Sequence, residues 1–305
     1  MADSSLAGGI PLPSRSVLDP LAQVNVGIVR WSGGAPSAAK DELAAEEPLE
    51  LRLPGEEGAR AGETLAVIMR TPGHDGELAA GFLYGEGLLR GADELAGLAP
   101  GRDADGLPSD NVLEVQTAPG VDLGRRMRET GYTRRFAVNA SCGVCGKNSV
   151  AAACATLPPV PDDDLCLDPA VLYGLPDRLR AGQRVFAHTG GLHAAGIFDA
   201  DGALVLLRED VGRHNAVDKL VGRALLDGKL PLARSILVVS GRLSFEIVLK
   251  ALAAGVAVVA AVSAPSSLAV DLAHAGNITL AGFLRERTVN IYTHPHRIAA
   301  DSQPT

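Results

Sequence analysis

The fold of this chain is decided by residues 236–281, which run ILVVSGRLSFEIVLKALAAGVAVVAAVSAPSSLAVDLAHAGNITLA. Apolar runs predict three short strands, at Ile236–Val239, Val256–Val262 and Ile278–Ala281. The two segments between these strands, Phe245–Ala254 and Ser267–Ala275, have helical spacing, and a glycine follows each of them. Strands that alternate with helices in this way indicate an α/β fold with a parallel or mixed sheet covered on both faces.

Polar loops follow all three predicted strands. They are SGRLS (240–244), SAPSS (263–267) and GFLRER (282–287). Ligands of such sheets bind beyond the carboxyl ends of the strands, so Ser240, Arg242 and Ser263 are candidate anion-binding residues. A single loop of this kind is weak evidence, because serine is also a common helix cap. The prediction therefore depends on the three loops meeting at one edge.

A second polar segment, EDVGRHNAVDK (209–219), follows a predicted hairpin over Val185–Leu207 and leads into a predicted helix at 215–226. Arg213 and His214 would lie at the entrance of that helix, which is a natural anion site. Asp210 is a candidate to orient one of them. A capped helix start with solvated charges explains Asp210 and Asn215 equally well, so both interpretations stay open.

The N-terminal part predicts a small α+β domain over residues 23–135, before an α/β domain over residues 136–300. Its expected elements are strands at Leu49–Leu53, Thr64–Met69 and Asn111–Gln116, and a helix that begins near Asp75. Residues 32–47 and 100–110 are predicted to be loops. Residues 1–22 are rich in Ser, Pro and Gly and are predicted to be a disordered tail.

Composition excludes several functional classes. The 305 residues carry a formal net charge of −8, and 4% of them are aromatic, which argues against a general nucleic-acid binder. The most apolar stretch, Ala251–Val262, is too short to span a bilayer, and the N-terminus lacks the pattern of a signal peptide. We expect a cytoplasmic protein with reduced thiols and no membrane partner.

Two cysteines form the motif SCGVCGK (141–147). A helix over 147–155 would place Cys142 and Cys145 just before its N-terminus, where the helix dipole favours the thiolate form. A zinc site is disfavoured because no second C-x-x-C and no nearby histidine accompany the pair, so we expect no metal site. A thioredoxin-like redox pair and two core cysteines also remain open, although a sulfur-carrying or nucleophilic pair fits the flanking glycines best. Cys154 and Cys166 are predicted to be structural.

These motifs together resemble the formate dehydrogenase accessory sulfurtransferase family, FdhD. The resemblance runs from about residue 24 to residue 298. The segments that carry it are SCGVCGK (141–147), TGGLHAA (189–195), EDVGRHNAVDKL (209–220), SGRLSFEIVLKA (240–251), SAPSSLAV (263–270) and NIYTHPHRI (290–298).

The resemblance implies a cytidine-deaminase-like α/β domain, a homodimer and a cysteine persulfide carried on Cys142, with Cys145 assisting. It further implies that sulfur comes from a cysteine desulfurase and goes to the bis-molybdopterin guanine dinucleotide cofactor of formate dehydrogenase, for which GDP is an expected mimic. The nucleotide end of that cofactor would bind at Phe283, Leu284, Arg285, Glu286, Arg287 and Thr288. The alternative function is a chaperone that binds the cofactor without carrying sulfur.

Overall fold

The computed structural model describes residues 22–55, 62–129 and 150–300. Its strands are β1 (Gln23–Ser32), β2 (Ala35–Ala44), β3 (Glu47–Arg52), β4 (Thr64–Arg70), β5 (Leu95–Arg102), β6 (Pro108–Thr117), β7 (His193–Phe198), β8 (Leu204–Asp210), β9 (Ile236–Val239), β10 (Val258–Ala261), β11 (Thr279–Arg285) and β12 (Thr288–Thr293). Its α-helices are α1 (Asp75–Gly85), α2 (Leu123–Glu129), α3 (Val150–Cys154), α4 (Pro169–Gly182), α5 (Arg184–Thr189), α6 (Arg213–Leu226), α7 (Phe245–Ala253) and α8 (Ser267–Ala275). Short 3-10 turns occupy Ala92–Glu94 and Pro295–Arg297.

A six-stranded mixed sheet organises the C-terminal part, with the strand order β12-β11-β10-β9-β7-β8. The strands β9, β10 and β11 are parallel, whereas β7, β8 and β12 pair antiparallel to their neighbours. Every residue of β9 and β10 is buried, as expected of strands covered on both faces. The α/β fold with a mixed sheet is therefore confirmed, together with the strand and helix order predicted for residues 236–281.

Helices cover both faces of this sheet. The right-handed crossovers place α7 and α8 on the same face, where they contact each other and α6 lies beside α7. Because both faces are buried, α4, which contacts β7, β9, β11 and β12, covers the other face. This arrangement leaves the carboxyl ends of the three parallel strands at an edge lined by loops.

The N-terminal part contains a four-stranded sheet with the order β4-β3-β6-β5, packed on α1 around a second apolar core. The α1 helix crosses α6 at two glycines. A Cβ atom at Gly81 would lie 1.9 Å from the carbonyl oxygen of Asp218, and one at Gly222 would lie 1.8 Å from that of Glu77. The apolar cores of the N-terminal and C-terminal parts therefore meet where the backbones of α1 and α6 are so close that only glycine fits at these two positions.

The predicted loop at residues 32–47 is wrong. Residues 23–44 form a ribbon in which Gln23 pairs with Ala44 and Ser32 pairs with Ala35. The turn residues Gly33 and Gly34 both have positive φ, which matches the type of two-residue turn that joins hairpin strands. The alanine-rich second strand has no β-branched or aromatic residue of the kind that usually marks a strand, which explains the error.

Other predicted boundaries need smaller changes. The hairpin predicted over Val185–Leu207 begins only at His193, because Arg184–Thr189 form the helix α5. The loop predicted at residues 100–110 shrinks to 103–107, because β5 and β6 extend into it on both sides. The predicted strands and helix of the N-terminal part are confirmed within a few residues. The tail at 1–21 and the proposed boundary between residues 135 and 136 lie outside the described residues. In the described ranges, no helix is long and apolar enough to cross a membrane.

A buried ion pair joins the two parts of the chain and makes stability depend on pH. Burial opposes ionisation of Glu77, but hydrogen bonds with His74 and Arg208 outweigh burial and lower its pKa from 4.5 to about 2. This difference corresponds to about 3 kcal/mol of stability that is complete above the unfolded-state pKa and is lost as the pH falls through the folded-state pKa.

We therefore expect Glu77→Gln to be less stable than the wild type by an amount that is largest above pH 4.5 and shrinks towards pH 2. Urea unfolding across this pH range measures the difference. Glu129→Gln is the matched control, since Glu129 forms an exposed pair with Arg125 and should show little pH-dependent difference. A Glu77→Gln difference that does not change with pH would contradict the assignment.

Candidate functional site

The antiparallel pairing of β7 with β9 brings the segments around His193 and Ser240 to one edge of the sheet. The backbone N–H of Ser240 donates to the carbonyl of Ala194 at 3.0 Å, and the N–H of Ala194 donates to Ser240 Oγ at 2.9 Å. The start of β7 and the carboxyl end of β9 are thus locked together. His193 and Ser240 consequently lie next to each other at the edge of the sheet where β9 ends.

Hydrogen bonds also connect the three polar loops to one another. The N–H of Leu243 donates to the carbonyl of Ala264 at 3.1 Å, and the N–H of Ser266 donates to the carbonyl of Leu243 at 2.9 Å. The N–H of Phe283 donates to the carbonyl of Ser263 at 3.1 Å. The loops therefore meet at one edge, as the sequence predicted.

Two arginines flank this edge. A Cβ atom at Gly241 would lie 3.6 Å from Arg213 Cδ and 3.5 Å from His193 Nδ1, so Arg213 packs directly over the first loop. Its Nε is buried and has no hydrogen-bond partner within the described ranges. Arg242, in the same loop, is exposed. The edge therefore presents positive charge to an anionic ligand, although the whole chain is acidic.

A chain of hydrogen bonds holds His214 at the start of α6. Its Nδ1 is bonded to the carboxylate of Glu246, and its Nε2 lies 3.4 Å from Ser244 Oγ. Ser244 occupies the N-cap position of α7, yet it caps no backbone N–H. Ser266, in the corresponding position of α8, does cap its helix. The hydroxyl of Ser244 therefore points towards His214 and does not cap α7.

The chain continues inward through two more charged groups. Lys250 lies 3.6 Å from Glu246 and 2.7 Å from the buried carboxylate of Asp218. Burial alone would lower the pKa of Lys250, but Asp218 and Glu246 outweigh it and raise that pKa. Burial likewise opposes ionisation of Glu246, yet its hydrogen bond with His214 lowers the pKa of the carboxyl. The carboxylate of Glu246 therefore fixes the ring of His214 at the edge, with Nε2 on the side of Ser244.

The predicted nucleotide loop forms the turn of the β11–β12 hairpin. Arg285 pairs with Thr288, and the Arg285 guanidinium lies 5.9 Å from the centroid of the Phe283 ring. Phe283 and Glu286 both have positive φ, an uncommon conformation for bulky residues that clusters at functional sites. Arg285, Glu286, Arg287 and Thr288 are exposed, whereas Leu284 belongs to the apolar core. Only the backbone of Leu284 is therefore placed to meet a ligand.

The suggested role of Asp210 in orienting Arg213 or His214 is wrong. Its carboxylate instead pairs with Lys219 at 2.7 Å and accepts hydrogen bonds from Asn215 Nδ2 and from the N–H groups of Thr71 and Gly212. The capped-helix interpretation of this segment is the better one for Asp210 and Asn215. Asp210 and Asn215 thus join the N-terminal part to α6, whereas Arg213 and His214 lie at the sheet edge.

Sequence reasoning missed two features of the site. The first is Glu246 as the partner of His214, for which an acidic residue in the first turn of α7 was the available signal. The second is a pocket of about 510 Å³ beside Ser240 and His193, between the sheet edge and the helices α4 and α5. The sequences of α4 and α5 do not predict this pocket, because it forms only where the two helices pack against the sheet edge.

The thiol pair cannot be placed, since Cys142 and Cys145 lie outside the described residues. The predicted helix that follows them is present as α3, over Val150–Cys154. Cys154 is half-buried against the apolar core, and Cys166 is an exposed free thiol, so only Cys154 has a packing role. In the part of the chain that the structure describes, no group of three His, Cys, Asp or Glu residues could hold a metal ion.

Comparison with known proteins identifies the family. A family model described as the FdhD/NarQ family matches residues 44–299. The chain belongs to the FdhD/NarQ family. It is 54% identical over 276 residues to a protein of Streptomyces avermitilis named sulfur carrier protein FdhD, covering 89% of this chain and 94% of that one. It is also 47% identical over 264 residues to the Mycobacterium tuberculosis protein of the same name, covering 85% and 92% of the two chains.

A solved structure shares the fold. The crystal structure of a protein from Desulfotalea psychrophila, named as a formate dehydrogenase accessory protein, superposes with a TM-score of 0.67 at 24% sequence identity. The match covers 91% of this chain and all of that one. At this level of identity the likeness supports the shared architecture, and the FdhD/NarQ assignment rests on the more similar sequences.

Proposed function

We propose that this FdhD/NarQ family member is a sulfurtransferase that carries sulfur as a persulfide on Cys142 for the maturation of formate dehydrogenase. The observation that carries the proposal is the similarity, over most of the chain, to proteins named as sulfur carriers. The C-x-x-C motif on a glycine-rich segment supplies the chemistry, because exchange of sulfur between thiols needs an accessible thiolate.

The acceptance step is a displacement at sulfur. The thiolate of Cys142 attacks the terminal sulfur of a persulfide on a cysteine desulfurase. A new S–S bond forms on Cys142, the old S–S bond breaks, and the desulfurase cysteine leaves as a thiolate. Cys145 would assist by attacking the outer sulfur of the Cys142 persulfide, so that a new S–S bond forms on Cys145, the S–S bond on Cys142 breaks, and Cys142 leaves as a thiolate.

The proposed sulfur acceptor is the bis-molybdopterin guanine dinucleotide cofactor, which is cargo rather than a resident group. Its nucleotide ends are anionic, and the sheet edge offers Arg213, Arg242 and the free N–H groups at the starts of α6 and α7. The exposed hairpin with Arg285 and Arg287 adds charge beside them. His214, fixed by Glu246, places its imidazole at the same edge beside Ser244.

The partners proposed are a cysteine desulfurase as sulfur donor and formate dehydrogenase as recipient of the cofactor, with the chain acting as a homodimer in the cytoplasm. A cytosolic location suits reduced thiols that exchange sulfur repeatedly. The name of the Desulfotalea psychrophila protein supports the link to formate dehydrogenase.

Intact-mass spectrometry tests the proposal directly. The full chain, incubated with a cysteine desulfurase and cysteine, should gain the mass of one sulfur atom, and a thiol reductant should remove it. The Cys166→Ser variant is the matched control, because Cys166 is an exposed thiol outside the motif and should not change the gain. Absence of any gain in the wild type would refute the carrier function.

The alternative function is a chaperone that holds the cofactor without carrying sulfur. The concentration of arginines at the sheet edge is the observation in its favour, since binding alone needs only that edge. A chaperone would tolerate loss of both motif cysteines but would not tolerate loss of Arg242, Arg285 and Arg287.

A further inference from the structure

A hydroxyl, an imidazole and a carboxylate form a hydrogen-bonded row at the starts of α6 and α7. His214 Nε2 lies 3.4 Å from Ser244 Oγ, and Nδ1 of the same ring is bonded to the carboxylate of Glu246. The two ring nitrogens therefore face two different partners. A hydroxyl nucleophile, a base beside it and a third group that orients the base make up the geometry of a Ser–His–acid triad.

The carboxylate determines which ring nitrogen carries the proton. Burial raises the pKa of Glu246, but the hydrogen bond with His214 and the charge of Lys250 outweigh burial and lower that pKa below its ordinary value. The group is thus a carboxylate that only accepts hydrogen bonds, so Nδ1 of His214 is the nitrogen that donates. In the uncharged ring, Nε2 is then the acceptor that faces the hydroxyl of Ser244.

Both oxygens of Glu246 are held in place. Its Oε2 is bonded to His214, and its Oε1 lies 3.6 Å from Lys250 Nζ. Lys250 is itself 2% exposed and is paired with the buried carboxylate of Asp218 at 2.7 Å. The orientation of the imidazole is therefore fixed before any ligand arrives, as catalysis by a positioned base requires.

Ser244 occupies a position that suits a nucleophile. It is half-buried at the N-cap of α7, directly after the loop that follows β9, and its hydroxyl does not cap the helix. In α/β-hydrolases the nucleophilic serine also lies on the turn from a strand into a helix. The N–H groups in the first turn of a helix have no partner within it, so those of α7 can stabilise negative charge on a carbonyl oxygen that Ser244 attacks.

We propose that Ser244 is the nucleophile of a site that hydrolyses carboxylic esters, with His214 as its general base and Glu246 as the residue that positions His214. Carriage of sulfur on a cysteine makes no use of this hydroxyl. The activity is therefore additional to the proposed sulfur-carrier function and does not rest on it.

The reaction needs only an ester and water. The proton of Ser244 Oγ passes to His214 Nε2 while Oγ bonds to the carbonyl carbon; the bond from that carbon to the alcohol oxygen then breaks, and this oxygen takes the proton from Nε2. Water next gives a proton to Nε2, and its oxygen bonds to the acyl carbon. The bond between that carbon and Oγ breaks, and Oγ regains its proton, so one ester and one water become one acid and one alcohol.

Labelling with a fluorophosphonate probe tests the nucleophile on the full chain. An activated serine oxygen displaces fluoride from the phosphorus of this probe and retains the phosphonate. Mass spectrometry of peptides should find the label on Ser244 in the wild type and no label in Ser244→Ala. Ser37→Ala is the matched control, because Ser37 is an exposed serine on β2 and its removal should leave labelling unchanged.

Hydrolysis of p-nitrophenyl acetate tests the base and its orientation. The parent chain for this assay carries Cys142→Ala and Cys145→Ala, since a thiolate would also accept the acetyl group. Adding Ser244→Ala should lower kcat/KM by about 100-fold or more. Adding Glu246→Gln instead should lower kcat by about 100-fold at an unchanged KM, because the glutamine amide can donate to Nδ1 and thereby place the ring proton on Nε2.

Three results would overturn the inference: no label on Ser244 in the wild type, equal labelling of Ser244→Ala, or ester hydrolysis that Ser244→Ala does not slow. Ser244 caps no helix and is half-buried, so its replacement by alanine should leave the fold intact and these results interpretable. Sulfur gain in the mass experiment is a separate readout, so the carrier function and the ester-hydrolysing site can fail independently.

Discussion

Replacement of Cys142 by alanine is expected to abolish activation of formate dehydrogenase, by at least about 100-fold. Alanine has no nucleophile, so the displacement that loads sulfur onto the chain cannot begin. The measurement is formate dehydrogenase activity in cells that lack the chromosomal copy of this gene and express either the wild type or the variant. The sulfur gain in the mass experiment should disappear in the same variant.

Two comparisons make the Cys142→Ala result specific. Cys166→Ser removes an exposed thiol outside the motif and should support full activation. GDP binding by Cys142→Ala should match the wild type if the thiol acts in sulfur chemistry and not in cofactor binding. Full activation by Cys142→Ala would contradict the carrier function and would favour the chaperone, whereas a partial loss in Cys145→Ala is consistent with an assisting role.

The C-terminal sheet could be predicted from sequence because its signals are local and agree with one another. The runs at β9 and β10 are apolar at every position, and each is followed by a polar loop and an amphipathic helix. Gly255, at φ +70°, ends α7 in a conformation that glycine adopts without strain. Parallel strands then bring their carboxyl ends together, so the meeting of the loops followed from the topology.

The partners of the charged residues could not be predicted in the same way. His214 and Glu246 are 32 residues apart, and they meet only because α6 and α7 pack side by side. The same packing pairs Asp218 with Lys250. In the sequence, Glu246 and Lys250 look like an ordinary pair on one face of an exposed helix. The second strand of the hairpin at residues 23–44 was missed for another reason, since its alanine-rich sequence contains no β-branched or aromatic residue.

Asp210→Asn is expected to destabilise the fold by about 3–5 kcal/mol, because it leaves the ammonium group of Lys219 buried without a countercharge. Asp210 is fully buried and Lys219 is 1% exposed, so water cannot replace the lost carboxylate. Both carboxylate oxygens accept N–H groups, Oδ1 from Gly212 and Oδ2 from Thr71. Either orientation of an asparagine amide therefore sets a donor against a donor.

Urea unfolding of the full chain measures this effect, and two further variants define its cause. Asp210→Asn combined with Lys219→Met removes the unpaired charge and should be more stable than Asp210→Asn alone, which keeps the test informative if the single variant fails to fold. Asp164→Ala breaks the exposed pair with Arg234 and should cost about 1 kcal/mol or less. Similar losses in Asp210→Asn and Asp164→Ala would contradict the argument. Thr71 donates to Asp210 and accepts from Lys219, so the same buried bonds join the N-terminal part to α6, the helix that begins with Arg213 and His214.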